Sequence, residues 1–226
     1  MSPSHTERRA VLFDLDGTLL DTARDLANAL NELLRQEGLA ALPFPQIRNL
    51  VSHGSSALVR RGFPEASDAE FLALRDRLLE IYRGALAVHT VPFDGMLELL
   101  ARLEHQAVLW GVVTNKPGFL TEPLLEQLGL RRRAGVIVSG DTLAERKPHP
   151  LPLLHAARQL GVAPSASAYV GDAERDILAA RSAGMRAVVA CFGYIGPEEV
   201  PHAWPADAWV HSPHEIYDWL KETLLA

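Results

Sequence analysis

The feature that most constrains the fold of this chain is an alternation: short, β-branched-rich apolar runs recur between longer stretches of helical periodicity. The runs are Ala10–Asp14, Val108–Thr114, Gly135–Gly140, Ser167–Asp172 and Arg186–Phe192, each too short for a stable helix. Amphipathic stretches follow at Met96–His105, Phe119–Leu128, Leu151–Gly161, Asp176–Gly184 and Glu215–Leu224. Strand and helix taking turns at this spacing build βαβ units, hence a parallel sheet with helices on both faces. Strands buried on both faces are continuously apolar, as these runs are. The expected fold class is α/β, a doubly wound parallel sheet.

The alternation is broken once. Residues 21–91 show only helical patterns. "DTARDLANALNELLRQEGL" opens with a Thr/Asp N-cap signal and closes at Gly38, and "DAEFLALRDRLLEIYRGAL" is a second long helix ending near Gly84. The expectation is an all-helical lobe over 21–91 inserted into a core formed by 1–20 and 92–226. The lobe starts near Leu20–Asp21 and ends near Thr90–Pro92, beside acidic residues. An inserted lobe hinged there is well placed to act as a lid.

A chain of 226 residues, 48% of them hydrophobic, can bury a substantial core. Its net charge of −6 argues against nucleic-acid and anionic-membrane partners, which need a basic face. The one basic cluster, Arg131-Arg132-Arg133, reads as a solvated face just past a helix end, where cations suit the dipole. The single cysteine, Cys191, excludes an internal disulfide framework and suits a reducing compartment; on a predicted buried strand, it reads as core packing. "MSPSHTERRA" has no secretory apolar region, and no run approaches the roughly 18 apolar residues of a membrane span. A cytoplasmic protein, monomeric or weakly dimeric, is expected.

Doubly wound sheets bind ligands beyond the carboxyl ends of their strands, so the residues just after each strand carry the chemistry. After the first come Asp14 and Asp16, in "VLFDLDGTLLDT"; after the second, Thr114 and Asn115, in "VVTNKP". A loop after the third leads to Lys147, in "ERKPHP", and after the fourth come Asp172 and Asp176, in "YVGDAERDI". Like charges two residues apart repel, so a cation is implied at Asp14 and Asp16. Several carboxylates without Cys or His make an all-oxygen site for a hard metal, most plausibly Mg2+. Asp14, Asp16 and Asp172 are the candidate ligands, with Asp16 able to offer its backbone carbonyl instead. Thr114 and Lys147 suit the non-bridging oxygens of a phosphoryl group, and Asn115 is a further candidate contact. One carboxylate would attack phosphorus while the other exchanges protons with the leaving group and then with water.

"DLDGT", "VTNKP", "KPHP" and "GDAERD", in this order, resemble the four motifs of the haloacid dehalogenase (HAD) superfamily of phosphatases. The resemblance implies a Rossmann-like HAD core, and residues 21–91 resemble that superfamily's C1-type cap. It further implies that Asp14 is the nucleophile forming an aspartyl-phosphate and Asp16 the general acid/base. Thr114 and Lys147 would bind phosphate, Asp172 would ligate metal, and Asp176 would be the second acid of the fourth motif, acting through water or on its neighbours. Over its whole length the chain looks like the phosphoglycolate phosphatase group. "FDGM", "WGVVTNKP", "GDAERDI" and "FGYIGP" most resemble the N-acetylmuramic acid 6-phosphate phosphatases of peptidoglycan recycling. A small-molecule sugar phosphate is the partner this implies.

Alternatives stand beside several of these readings. Thr114 also suits capping of the next helix, and Asp176 also suits the first turn of the helix behind it. His53, with Arg60 and Arg61, lies in the polar segment "VSHGSSALVRRG", which reads either as a loop reaching the substrate or as a helix start with exposed arginines. "HSPH" (His211, His214) reads as a loop into the last helix. A receiver-like phospho-acceptor module also gathers acids, a Thr and a Lys at strand ends, but it lacks an inserted helical lobe.

Overall fold

A computed structural model describes residues 8–225. All five of the apolar runs picked out by the alternation become strands of one sheet. The strands are β1 (Ala10–Phe13), β2 (Leu20–Asp21), β3 (Val91–Pro92), β4 (Leu109–Val113), β5 (Val136–Val138), β6 (Ser167–Gly171), β7 (Arg186–Ala190) and β8 (Ala208–Val210). Six of them form one sheet in the order β5-β4-β1-β6-β7-β8, every pairing parallel. The chain builds outward from β1 through β4 to β5, then crosses to β6 on the other side of β1. That reversal leaves a crevice at the carboxyl end of β1, directly before Asp14.

The helices are α1 (Ala23–Gln36), α2 (Phe44–Arg48), α3 (Gly54–Gly62), α4 (Asp68–Arg83), α5 (Met96–His105), α6 (Gly118–Gln127), α7 (Leu151–Leu160), α8 (Glu174–Ser182) and α9 (Pro213–Thr223). Alternate residues of β1 face opposite sides of the sheet. Val11 and Phe13 join a core with Trp110, Val112, Leu100 of α5 and Leu220 of α9. Ala10 and Leu12 join a second with Leu153 of α7, Ile177 of α8 and Tyr169. Both faces are thus sealed, which explains the unbroken apolar character of the strands.

Helices α1 to α4 close around a third cluster, with Leu26, Leu30, Leu33 and Leu34 of α1 facing Leu58, Leu74, Leu78 and Tyr82. The spacing of the α1 set is the one-face helical pattern of the sequence. Helix α4 starts at a capping box: Ser67 Oγ accepts the Glu70 N–H, and Glu70 Oε2 accepts the Ser67 N–H at 2.9 Å. Such a cap is worth about 1 kcal/mol.

Several expectations need correcting. Strand flanks the helical segment after all: β2 and β3 pair antiparallel, Leu20 with Pro92 and Asp21 with Val91, at the points where it starts and ends. Edge strand β8 was not anticipated, because three residues behind Pro205 carry too little pattern. Cys191 lies one residue past β7 and is only partly buried, packing at the margin of the second core. Thr22 does not cap α1 with its side chain; its hydroxyl donates to Asp16 Oδ1 at 2.7 Å. The Ala23 N–H is shared by the Tyr194 hydroxyl at 2.9 Å and Asp21 Oδ1 at 3.4 Å, so of the Thr/Asp signal only the aspartate reaches the helix start. Of the arginine cluster, Arg131 pairs with Glu122 and Arg133 with Glu104 at the surface. No helix among the described residues is long and apolar enough to cross a membrane.

Candidate active site

Strand β1 delivers Asp14 to the crevice, 3% exposed. Its Oδ1 accepts the Leu15 N–H at 2.7 Å and lies 2.9 Å from Lys147 Nζ. Burial alone would raise this carboxyl, but Lys147 and Arg175, with the hydrogen bonds from Lys147 and Leu15, hold it below the usual carboxylate value. The turn that follows needs Gly17, at φ +83°, because a Cβ there would sit 2.1 Å from Asp172 Oδ2.

Asp172 directly follows β6 and Asp176 lies in the first turn of α8, both buried. Asp14, Asp172 and Asp176 offer oxygens that all lie within 4.8 Å of one another. Burial, and then the negative charges of Asp14 and Asp176, push the Asp172 carboxyl up to about 7. Asp172 Oδ2 accepts the Ser52 hydroxyl at 2.5 Å and the Tyr194 N–H at 2.9 Å. Asp176 does two things at once. Its Oδ2 accepts the Ala173 N–H at 3.1 Å in the first turn of α8, while Oδ1 makes no hydrogen bond although Lys147 Nζ lies 2.8 Å away. Three buried carboxylates, one oxygen without a hydrogen bond and no nitrogen or sulfur donor fit a hard divalent cation.

Lys147 is fully buried between Asp14 and Asp176, and its ammonium also donates to the Tyr169 hydroxyl at 2.6 Å. The Tyr169 hydroxyl in turn donates a hydrogen bond to Val113 O at 2.7 Å, which ties the ammonium to the sheet. One N–H donor thus goes to Tyr169, while the Asp14 and Asp176 carboxylates flank the ammonium at ion-pair distance. Asn115 spends its amide on the Lys147 backbone, accepting its N–H at 3.1 Å and donating to its carbonyl at 3.0 Å. It therefore positions the Lys147 loop. Thr114 Oγ1 accepts the Lys116 N–H at 3.2 Å, and no acceptor among the described residues takes its hydroxyl hydrogen.

Asp16 stands apart from the other acids. Its carboxylate turns to Lys116, with Nζ 2.9 Å from Oδ1, and to the Thr22 hydroxyl. Both of its carboxylate oxygens are thus already partnered. The segment around His53 reaches the site: Ser52 and His53 line a cavity of about 740 Å3 together with Asp14, Asp16, Thr114 and Lys116. Arg60 does not line it. Its guanidinium lies 4.3 Å from the Phe71 ring centroid and 3.7 Å from Asp68, while Arg61 binds Gln46.

Sequence reasoning passed over Lys116, Arg175, Ser52 and Tyr169. Lys116 and Arg175 sit inside quoted motifs, "VTNKP" and "GDAERD", so a signal was present. Arg175 donates to Ser52 O at 2.5 Å, fastening the helical segment to the sheet edge beside Asp172. Nothing local marks Tyr82, whose ring belongs to the apolar face of α4.

The model of the haloacid dehalogenase-like hydrolases matches residues 11–190. A phosphoglycolate phosphatase of Xanthomonas campestris is 47% identical over 210 residues, 93% of this chain and 95% of that protein. An N-acetylmuramic acid 6-phosphate phosphatase of Pseudomonas putida is 44% identical over 209 residues, 92% of this chain and 94% of its own. A crystal structure described as a predicted phosphoglycolate phosphatase, from Haemophilus somnus, superposes with a TM-score of 0.84 at 27% identity, covering 95% of this chain and 99% of its own. These relatives identify a phosphoric monoester hydrolase, not a receiver-like module.

Proposed function

Because the chain belongs to the haloacid dehalogenase-like hydrolases, we propose that it is a Mg2+-dependent phosphatase of N-acetylmuramic acid 6-phosphate, releasing N-acetylmuramic acid and phosphate in cytoplasmic peptidoglycan recycling. The observation that carries the chemistry is the apposition of Asp14, Lys147, Asp172 and Asp176 at the carboxyl end of β1. Asp14, Asp172 and the Asp16 backbone carbonyl would hold the divalent cation, with Asp176 supporting them. When bound, the cation offsets the charge that otherwise keeps an anionic carboxylate from an anionic phosphoryl group.

An Asp14 carboxylate oxygen attacks phosphorus, and the bond from phosphorus to the leaving oxygen breaks. Asp16 gives that oxygen a proton. In the second step Asp16 takes a proton from water, the water oxygen bonds to phosphorus, and Asp14 is released with inorganic phosphate. Lys147 holds a fixed positive charge against the equatorial oxygens through both steps, and the Thr114 hydroxyl donates to another. Residues 21–91 act as a cap that excludes bulk water.

The substrate reading is supported by the relative named for this activity and by the cavity of about 740 Å3, far roomier than a two-carbon acid phosphate requires. The second reading, 2-phosphoglycolate, is favoured by the more identical relative. Both named substrates are phosphate esters of carboxylic acids. Phosphate release from the two esters, with Mg2+ and with EDTA and with Asp14→Asn as control, separates the readings. A much higher kcat/KM for the muramic ester is expected. Preference for phosphoglycolate would overturn the substrate and leave the chemistry standing.

A further inference from the structure

Lys116 is a buried cation that the mechanism above does not use. Its side chain is 5% exposed, and Nζ lies 2.9 and 3.3 Å from the two Asp16 carboxylate oxygens. A further N–H goes to the Tyr82 hydroxyl at 3.1 Å, with the ammonium 4.4 Å from the centroid of the same ring. Lys116 is anchored at its backbone by core groups only: its N–H binds Thr114 Oγ1, and its carbonyl accepts the Gly140 N–H at 2.8 Å and the Thr121 hydroxyl at 3.3 Å. Tyr82 comes from α4, on the helical segment. The ammonium thus has a fixed root, one partner at the chemistry and one on the segment above it.

We propose that Lys116 is a positioning residue for Asp16, and that Tyr82 sets Lys116 in turn, so that the docked helical segment fixes the direction of the Asp16 carboxylate. The inference rests on the role given to Asp16 above. Asp16 has to meet the leaving oxygen in one step and a water in the next, at nearly the same place. It lies on a turn, 17% exposed on the cavity wall, where a carboxylate with no partners would sample several rotamers. Thr22 grips Oδ1 from the hinge side at 2.7 Å, and Lys116 spans both oxygens from the core side. Together they leave a single orientation. The Tyr82 ring and hydroxyl keep the four-carbon lysine stem from swinging into the open cavity.

The test uses Lys116→Met and Tyr82→Phe in the full chain, with Asp16→Asn for reference, on a sugar 6-phosphate and on p-nitrophenyl phosphate. Misplacement of a reacting group by about 1 Å costs about 100-fold in rate. Lys116→Met is therefore expected to lose roughly that much kcat on the sugar phosphate, with KM within about threefold. Tyr82→Phe, which removes one hydrogen bond and keeps the ring, should lose about fivefold in kcat. The nitrophenolate leaves without a proton, so its first step survives. Lys116→Met should then show a burst of nitrophenolate followed by slow turnover, the pattern also expected of Asp16→Asn. The double variant should be no slower than Asp16→Asn alone.

A raised KM at unchanged kcat, loss of the burst, or multiplied losses in the double variant would overturn the proposal. If Lys116→Met fails to fold, a folded Tyr82→Phe with wild-type kcat on the sugar phosphate overturns it equally. Failure of the phosphatase reading is separable, because it shows in the wild type as phosphate release that does not depend on Asp14.

Discussion

Replacing Lys147 with methionine keeps most of the aliphatic stem and removes only the charge. Its ammonium is 0% exposed, 2.9 Å from Asp14 and 2.8 Å from Asp176. Without it, Asp14 and Asp176 lose the cation that each faces within 3 Å, beside a third buried carboxylate, Asp172. Breaking a buried ion pair from one side costs about 3–5 kcal/mol, because the stranded charge cannot recover its hydration. Unfolding entropy near the midpoint is about 2.1 cal/mol/K per residue, so for this chain 1 kcal/mol moves Tm by about 2 °C. A fall of about 6–10 °C is expected in EDTA at pH 8, read by calorimetry or far-ultraviolet circular dichroism. Two conditions should shrink the deficit. Saturating Mg2+ should raise the Tm of the variant more than that of the wild type, since a cation among the three acids replaces the lost charge. Lowering the pH towards 5 should also help, because carboxylates raised by burial and mutual repulsion take up protons first. A variant as stable as the wild type in EDTA, or a deficit indifferent to both Mg2+ and pH, would refute the assignment of Lys147 as the charge that holds this cluster together.

Two further outcomes follow from the same geometry. Asp172, pushed up to about 7, keeps a proton that a divalent cation has to displace, so apparent Mg2+ affinity should rise about tenfold per pH unit up to about pH 7 and level off above it; calorimetric titration between pH 5.5 and 8 would contradict this if affinity were flat. Gly17→Ala places a Cβ 2.1 Å from Asp172 Oδ2 and 2.9 Å from Tyr194 Cδ2 at a positive φ. It should cost about 1–3 kcal/mol and weaken Mg2+ binding; unchanged metal affinity in the folded variant would show that Asp172 can step aside.

Much of the site was legible because it is built from strand ends. Asp14, Thr114, Asp172 and Asp176 each lie within a few residues of a continuously apolar run, so finding the strands locates the acids. Lys147 lies on the loop after β5 and still reaches Asp14, because β5, β4 and β1 are successive neighbours in the sheet. The two short flanking strands were less legible: two residues paired with two carry no periodicity of their own, and Leu20 faces Pro92 only once the helical segment has folded between them. Thr22 misled for a related reason. A threonine before a helix reads as a cap, but here Asp16 competes for the hydroxyl, and Tyr194, distant in sequence, shares the Ala23 N–H with Asp21.

The sequence by itself determined the parallel sheet, the run of helices between its first strand and the helix Met96–His105, and the four acids, because burial on a strand or a helix face imposes a period that local residues have to obey. The tertiary structure alone decided which cation meets which acid. Lys116 and Asp16 are separated by 100 residues and Lys147 and Tyr169 by 22, and no period links them. A lysine stem several bonds long reaches any of several neighbours. Which one it meets depends on the strand order and on where α4 sets Tyr82, and these are properties of the packed whole.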